Sequence, residues 1–336
     1  MVGKLAIVMT SIATPNEVMR QLSSGAEQHG YMFIVAGDTK SPGNFFLKGC
    51  RFLSIRNQLE TGFAYAAKCP SGHYCRKNVS YLVAIHDGAK CIIETDDDNF
   101  PRPEFFSQRK RHVNVPILID AGWTNIYRYF TDATIWPRGL PLETLHREPI
   151  PLNDLAETTA DCPIQQGLAD KNPDVDAIYR LVLPIPQYFS KDRAMALGRG
   201  SWCPFNSQNT TWWLDAFPLM YLPANCSFRM TDIWRSFVAQ RIAWENNWCV
   251  LFHEPTVWQE RNEHNLMQDF KDEIPGYLNN HRIGDALEKL TLHPGIDAIP
   301  DNLRQCYEKL IEMELVGWEE LSLLEAWLSD LEQLQS

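Results

Sequence analysis

Residues 90–106, KCIIETDDDNFPRPEFF, carry three consecutive aspartates, Asp96, Asp97 and Asp98, at the end of an apolar, β-branched run and shortly before a proline. Like charges this close repel, so the cluster is costly unless solvent, hydrogen bonds or a cation offsets it. A divalent metal ion is one natural partner. Mg²⁺ and Mn²⁺ prefer oxygen ligands, and Mg²⁺ commonly takes only one or two protein carboxylates, keeping positions for the oxygens of a diphosphate. Side chains alternate along an extended segment, so Asp96 and Asp98 share a side as candidate ligands while Asp97 packs or accepts backbone hydrogen bonds. A solvated acidic turn accounts for the same residues equally well on local grounds. A second acid, Asp38, follows another apolar run, YMFIVAGD, at the head of the turn-rich GDTKSPG.

The surrounding chain must deliver these acids to one place. KLAIVMTSI (4–12), YMFIVAGD (31–38), RFLSI (51–55) and KCIIET (90–95) read as strands. EVMRQLSSGAEQHG, after Thr14-Pro15-Asn16, and RKNVSYLVAIHDGAK, closed by Gly88, read as helices. Alternating strands and helices predict a parallel, doubly wound sheet covered on both faces, with ligands bound at the carboxyl ends of its strands. Asp38 and Asp96–Asp98 then fall on the same edge. VPILIDAG, AIYRLVLPI and LMYLPA read as short strands that extend the sheet into a mixed one. TDIWRSFVAQRIAWENN (231–247) is the clearest later helix, with Thr231 expected as its N-cap, Asp232 in its first turn and Trp234, Phe237 and Val238 as an apolar stripe. CVLFHEPTVWQERNEHN reads as a strand and an exposed loop, and everything after Pro275 as helical. The expected organisation is a catalytic domain over residues 1–270 and an α-helical appendage over 271–336.

Composition narrows the function classes. The formal charge of -11 over 336 residues argues against a nucleic-acid partner, so an anionic ligand has to be met locally by a metal or a few Arg and Lys. No run of about 18 apolar residues is present, so no transmembrane segment is expected. Nine scattered cysteines favour reduced thiols and a cytoplasmic location, which makes the glycosylation-like triplets at Asn78, Asn209 and Asn225 coincidental. In CPSGHYC, Cys69, His73 and Cys75 could hold zinc with a fourth ligand, but the spacing is not a common one and a turn bearing ordinary thiols is the default. The 11 Trp suit either an aromatic-lined cleft or a large core.

Five blocks in fixed order, RKNVSYLVAIHDGAKCIIETDDDNFP, WPRGLPLE, NPDVDAIYRL, PFNSQNTTW and TDIWRSFVAQRIAW, resemble the STELLO family of glycosyltransferase-like proteins over about residues 1–265, with the helical tail outside. More distantly, the plan resembles the reversibly glycosylated polypeptides, which include nucleotide-sugar pyranose/furanose mutases. The resemblance implies a GT-A-type nucleotide-diphospho-sugar transferase fold, Rossmann-like with a mixed sheet, whose Asp-x-Asp segment binds Mn²⁺ or Mg²⁺ on the donor diphosphate. Plant STELLO proteins are membrane-anchored, and this chain is expected to correspond to the catalytic part alone.

Carried over by position, Asp96 and Asp98 match the metal ligands, with Asp96 and Asp97 on the donor side. Asp38 lies where GT-A folds meet the nucleoside. Arg76 and Lys77 are candidates for the diphosphate, or simply a solvated helix start. Arg138 in WPRGLP resembles an arginine associated with the sugar site, its alternative being a structural Arg on a Gly-Pro turn. Asp232 corresponds to an acid below the sugar, acting as general base or as a partner of sugar hydroxyls, and compatible with helix capping. Arg235 would orient Asp232 or bind phosphate. Asp174 and Asp176 form a second, weaker Asp-x-Asp. Asn206, Gln208, Asn209 and Trp212 suit sugar or acceptor recognition by hydrogen bonds and stacking. The expected activity is metal-dependent transfer of a sugar from a nucleotide-diphosphate donor to an unidentified acceptor, serving polysaccharide biosynthesis. The alternatives are a ring-isomerising mutase and a non-catalytic scaffold of a glycan-synthesis complex. A homo-oligomer is compatible with all three.

Overall fold

In the computed structural model, which describes residues 4–260 and 265–335, the first third of the chain alternates as the sequence leads one to expect. Its elements are β1 (Leu5–Thr10), α1 (Glu17–His29), β2 (Met32–Ala36), β3 (Arg51–Leu53), α2 (Ile55–Glu60), α3 (Ala64–Lys68), α4 (Lys77–His86) and β4 (Cys91–Thr95). β1 pairs in parallel with β2 and β4, and β2 with β3. Burial on both faces explains why β1 is apolar without alternation. Ile7 and Met9 pack with Met19 and Leu22 of α1, whereas Ala6 and Val8 join Val79, Leu82 and Val83 of α4. The Asn16 side chain accepts from the Met19 amide at 2.9 Å and starts α1, and Gly30, at φ 68°, stops it.

The middle of the chain adds β5 (Asn99–Pro101), β6 (His112–Leu118), β7 (Gly122–Trp123), β8 (Glu157–Asp161), β9 (Ile164–Asp170), α5 (Ala177–Val182), β10 (Ala194–Leu197), β11 (Ser201–Trp202), β12 (Asn209–Trp213), α6 (Thr231–Glu245) and β13 (Val250–Gln259). The sheet order is β3-β2-β1-β4-β12-β9-β13-β10-β6-β8, with β5 on β13 and β7 paired separately with β11. β12 runs antiparallel to both β4 and β9, so a parallel half joins a mixed half and the architecture is GT-A-like.

Several local expectations need correction. AIYRLVLPI is not a strand: the Asp176 side chain accepts from the Tyr179 amide at 2.7 Å and nucleates α5. LMYLPA is not a strand either: its Leu219 and Met220 end a 3₁₀ segment, Leu214–Met220, in which Pro218 offers no amide to a sheet ladder. Thr231 is not the cap of α6 but lies in its first turn, with Met230 at the cap position. That helix is buried from Thr231 to Trp244, so its apolar stripe is one part of a wholly enclosed element. Part of the expected exposed loop, 261–264, lies outside the described residues.

The remaining helices are α7 (Leu266–Glu288), α8 (Ile299–Glu312) and α9 (Glu320–Gln335). α7 crosses position 270 and continues through Pro275. Leu303, Leu310, Leu324 and Trp327 from α8 and α9 share one apolar core with Tyr65, Leu82 and Trp212. None of the helices among the described residues is long and apolar enough to cross a membrane.

Candidate active site

The carboxyl ends of β1, β2 and β4 open on a cleft of about 410 Å³ that gathers Asp38, Asp96, Asp97, Asp98, Arg138, Asp174, Asn206, Gln208 and Asp232. β4 ends at Thr95, so the three aspartates leave the sheet where its backbone pairing stops. Each finds a different environment. Asp96 accepts from the Tyr74 hydroxyl at 2.7 Å and from the Lys77 ammonium at 3.0 Å. Asp97 accepts from the Ser11 hydroxyl, and its carbonyl accepts from the Asn16 amide nitrogen at 2.7 Å. Asp98 accepts from the Gln259 amide at 3.0 Å through Oδ2, while its buried Oδ1 has no hydrogen-bond partner. Burial, reinforced by the Asp96 charge, pushes Asp98 up to about 7, and burial also raises Asp97.

Among the described residues no three His, Cys, Asp or Glu side chains form a ready-made metal cluster. The donor set nevertheless fits a hard cation: oxygen ligands, an unpartnered buried carboxylate oxygen on Asp98, and a second carboxylate on Asp96. Such an ion would draw one or two ligands from the protein and the rest from substrate and water.

The opposite wall is built around Arg138. Gly139 beside it has φ 91°, and a Cβ there would lie 2.4 Å from Cγ2 of Ile233, so the turn can press against the first turn of α6. Arg138 thereby reaches Asp174 through Nε and Nη2 at 2.8 and 2.9 Å, and Asp232 at 3.1 Å; it also donates to the Arg229 carbonyl. Asp232 accepts further from the Ser207 amide and hydroxyl at 3.2 and 3.3 Å. Burial works against the Asp232 charge, but Arg138, Arg235 and these hydrogen bonds outweigh it and hold the carboxyl below the usual carboxylate range.

Asp38 closes the third side. Its carboxylate accepts from the amides of Thr39, Gly72 and His73 at 2.6, 2.8 and 3.1 Å. Burial raises its pKa, yet the three amides and the nearby Arg76 charge leave it lowered. Asp38 therefore ties the end of β2 to the loop that carries Tyr74. In that loop the Cys69 and Cys75 sulfurs lie 3.6 Å apart and His73 Nδ1 accepts from the Cys75 amide at 3.1 Å, so the ring caps a turn.

Five candidates stand outside the cleft lining. Arg76 is buried and donates to Gln58 Oε1 at 2.7 Å and the Cys69 carbonyl at 2.8 Å, which is a structural role. Lys77 lies fully buried beneath Asp96, also donating to the Ser207 carbonyl at 3.0 Å; it supports the acid and does not face a ligand. Arg235 is paired with Glu94 at 2.8 Å, both nearly solvent-free. Trp212, on the sheet, donates to the same Glu94 at 2.8 Å and stacks under Arg235. Asn209 packs over Gly167 and bonds the Leu168 carbonyl and Thr256, because β12 is an inner strand whose side chains are enclosed. Asn206 and Gln208 do line the cleft, though Asn206 Oδ1 accepts from the Gln208 amide at 2.9 Å and Gln208 Nε2 donates to Asn99 at 3.0 Å.

Sequence reasoning passed over Tyr74, Ser207 and Gln259, which are neutral and carry no pattern, and Phe228, an exposed ring at the cleft. Tyr74 lay in view inside CPSGHYC, and Ser207 between Asn206 and Gln208. Most of the tryptophans prove to be core, with Trp202, Trp212, Trp234 and Trp327 fully buried, whereas Trp318 is 73% exposed.

Comparison with known proteins follows the same geography. Residues 229–336 match the family model described as STELLO glycosyltransferases. Over 97% of this chain and 44% of the relative's length, the sequence is 29% identical to the probable glycosyltransferase STELLO2 of Arabidopsis thaliana. It is likewise 29% identical to the probable glycosyltransferase STELLO1 of the same plant over 75% of this chain and 35% of that protein. The chain thus spans less than half the length of these curated relatives. The likeness extends through α7, α8 and α9, correcting the expectation that it stops near residue 265.

Proposed function

We propose that this chain, which carries a STELLO glycosyltransferase domain, transfers a sugar from a nucleoside-diphosphate donor. The observation that carries the reading is the convergence, in one cleft at the strand ends, of an acid cluster with an unpartnered Asp98 oxygen and a charge-fixed Asp232. Asp96 and Asp98 would hold Mn²⁺ or Mg²⁺. Bound there, the ion supplies positive charge against the diphosphate and offsets the charge that builds on the leaving group.

The chain's own residues do the rest. Tyr74 and Lys77 fix the Asp96 carboxylate. Asp38 holds the loop that carries Tyr74, so the donor meets a preorganised wall. Asp232 is a weak base, because Arg138 and Ser207 stabilise its ionised form, and a strong acceptor for sugar hydroxyls. Its fixed negative charge also favours an oxocarbenium-like sugar in the transition state. Arg138 is a positioning residue: its guanidinium is taken up by Asp174, Asp232 and the Arg229 carbonyl. The mutase alternative needs a group free to hold a departed sugar, and Arg138 is not available for that.

A thermal-shift panel of nucleoside diphosphates with and without Mn²⁺ tests the proposal. Stabilisation is expected only with nucleotide and metal together, about 2.7 kcal/mol when the ligand is at 100 times its Kd. Asp98→Asn should remove the metal dependence. A wild-type protein that shows no metal-dependent shift with any nucleotide would overturn the reading.

A further inference from the structure

The cleft has a sulfur pair built into its support. Cys69 ends α3, and Cys75 sits in the 3₁₀ turn Tyr74–Arg76 that leads into α4. Their sulfurs are 3.6 Å apart, and both residues are buried as thiols. A disulfide requires about 2.05 Å. Closing the gap moves the two sulfurs toward each other by side-chain rotation and by a shift of the loop that joins them. That loop contributes the Gly72 and His73 amides that grip Asp38 and the Tyr74 hydroxyl that grips Asp96.

We propose that Cys69 and Cys75 form an oxidisable pair, closing to an intramolecular disulfide that reshapes this loop and with it the cleft. The surroundings suit the chemistry. Pro70, Ser71 and Gly72, which join the two cysteines in the chain, are exposed, and Cys69 keeps 5% of its surface. The hydrogen bond from Cys75 and the neighbouring Arg76 charge hold the Cys69 thiol below its usual range, outweighing its burial. With hydrogen peroxide as oxidant, the Cys69 thiolate attacks one peroxide oxygen, the O–O bond breaks, and a sulfenic acid and hydroxide form. The Cys75 sulfur then attacks the Cys69 sulfur; the S–S bond forms, the S–O bond breaks, and the Cys75 proton leaves with the departing oxygen as water. Two thiols lose two electrons, the peroxide gains them, and a dithiol reductant reverses the change.

The test uses the full chain, treated with hydrogen peroxide and then with dithiothreitol. Peptide mapping should find residues 69 and 75 linked with loss of two hydrogens, and amide exchange at Gly72 and His73 should accelerate in the oxidised protein and return on reduction. Cys75→Ser and, separately, Cys69→Ser should show neither change. Absence of the 69–75 link at peroxide levels that oxidise the half-buried Cys50, or a link that leaves loop exchange as it was, overturns the proposal. Affinity for the nucleoside diphosphate that gives the metal-dependent thermal shift, measured with Mn²⁺, should fall several-fold on oxidation; equal affinity in the two redox states overturns the coupling to the cleft. This last readout rests on the nucleotide-sugar reading, whereas mapping and exchange need no nucleotide, so the two failures are distinguishable.

Discussion

Asp98 and Asp232 show how two carboxylates in one cleft are driven in opposite directions. Asp98 is partly withdrawn from solvent and faces Asp96, whereas Asp232 is more deeply enclosed but faces Arg138. A carboxyl held below the ordinary range stays ionised throughout neutral and mildly acid pH, so the turnover profile should have no limb from Asp232 between pH 5 and 8. Asp232→Asn should lower turnover about 10² to 10³-fold while leaving the shape of the profile as it was. An acid limb that disappears with the substitution would show that the group titrates there and acts as the base. One layer below, the Arg235 and Glu94 pair has negligible solvent contact, so Arg235→Met should cost about 3–5 kcal/mol in urea unfolding, because Glu94 is left buried and uncompensated. At this scale the acids were legible in the sequence because three in a row demand an explanation. The burial that turns Asn209, Trp212 and Arg235 inward was not, since it depends on β12 and α6 being enclosed, which no residue type announces.

At the scale of elements, the cleft depends on how close α6 and the Arg138 turn approach each other. Gly139→Ala should cost about 1–3 kcal/mol from its positive φ and the Ile233 contact, and should reduce turnover by displacing Arg138. A variant with wild-type stability and turnover would sink that account. α5 carries a pH signature of its own. Its cap, Asp176, is raised to about 6, first by burial and then by Glu273 and Asp174, despite hydrogen bonds from Tyr179 and Trp136. Below about pH 4 the folded and unfolded chains both keep this proton; between 4 and 6 only the folded chain does. Asp176 therefore contributes stability at low pH that is lost as pH rises through 6. The stability of wild type relative to Asp176→Asn should fall by at most about 3 kcal/mol between pH 4 and 7, measured by denaturant melts. The strands and helices of the first third could be read because parallel strands buried on both faces are apolar without interruption. AIYRLVLPI misled because a short apolar run is ambiguous between helix and strand, and the cap at Asp176 decided it.

At the scale of the whole molecule, the C-terminal helices belong to the body that carries the site. α9 places Trp327 in the shared core, its indole donating to the Pro218 carbonyl at 3.1 Å. Asp330 accepts from the Ala64 and Tyr65 amides at 2.9 and 2.8 Å. Glu320 accepts from the amides of Ala224 and Asn225, and the Tyr221 hydroxyl donates to it. Each large apolar side chain so buried contributes about 1.5–3 kcal/mol, and a domain's whole margin is about 5–15 kcal/mol. Deleting 317–336 should therefore abolish cooperative thermal unfolding, and a truncated protein with a wild-type transition would show that these helices are dispensable. The helical character of this segment was plain from its sequence, whereas its attachment was not, because the surfaces it covers come from residues 95 to 266 positions earlier. The Asp330 clamp also has a temporal meaning. On the ribosome the aspartates after β4 are made early, but α3, which leads into the Tyr74 loop, waits for a partner synthesised some 265 residues later. The acid cluster and its partners Tyr74 and Lys77 are thus made long before the helix that anchors α3, and a nascent chain holds an unfinished cleft until α9 has emerged and docked.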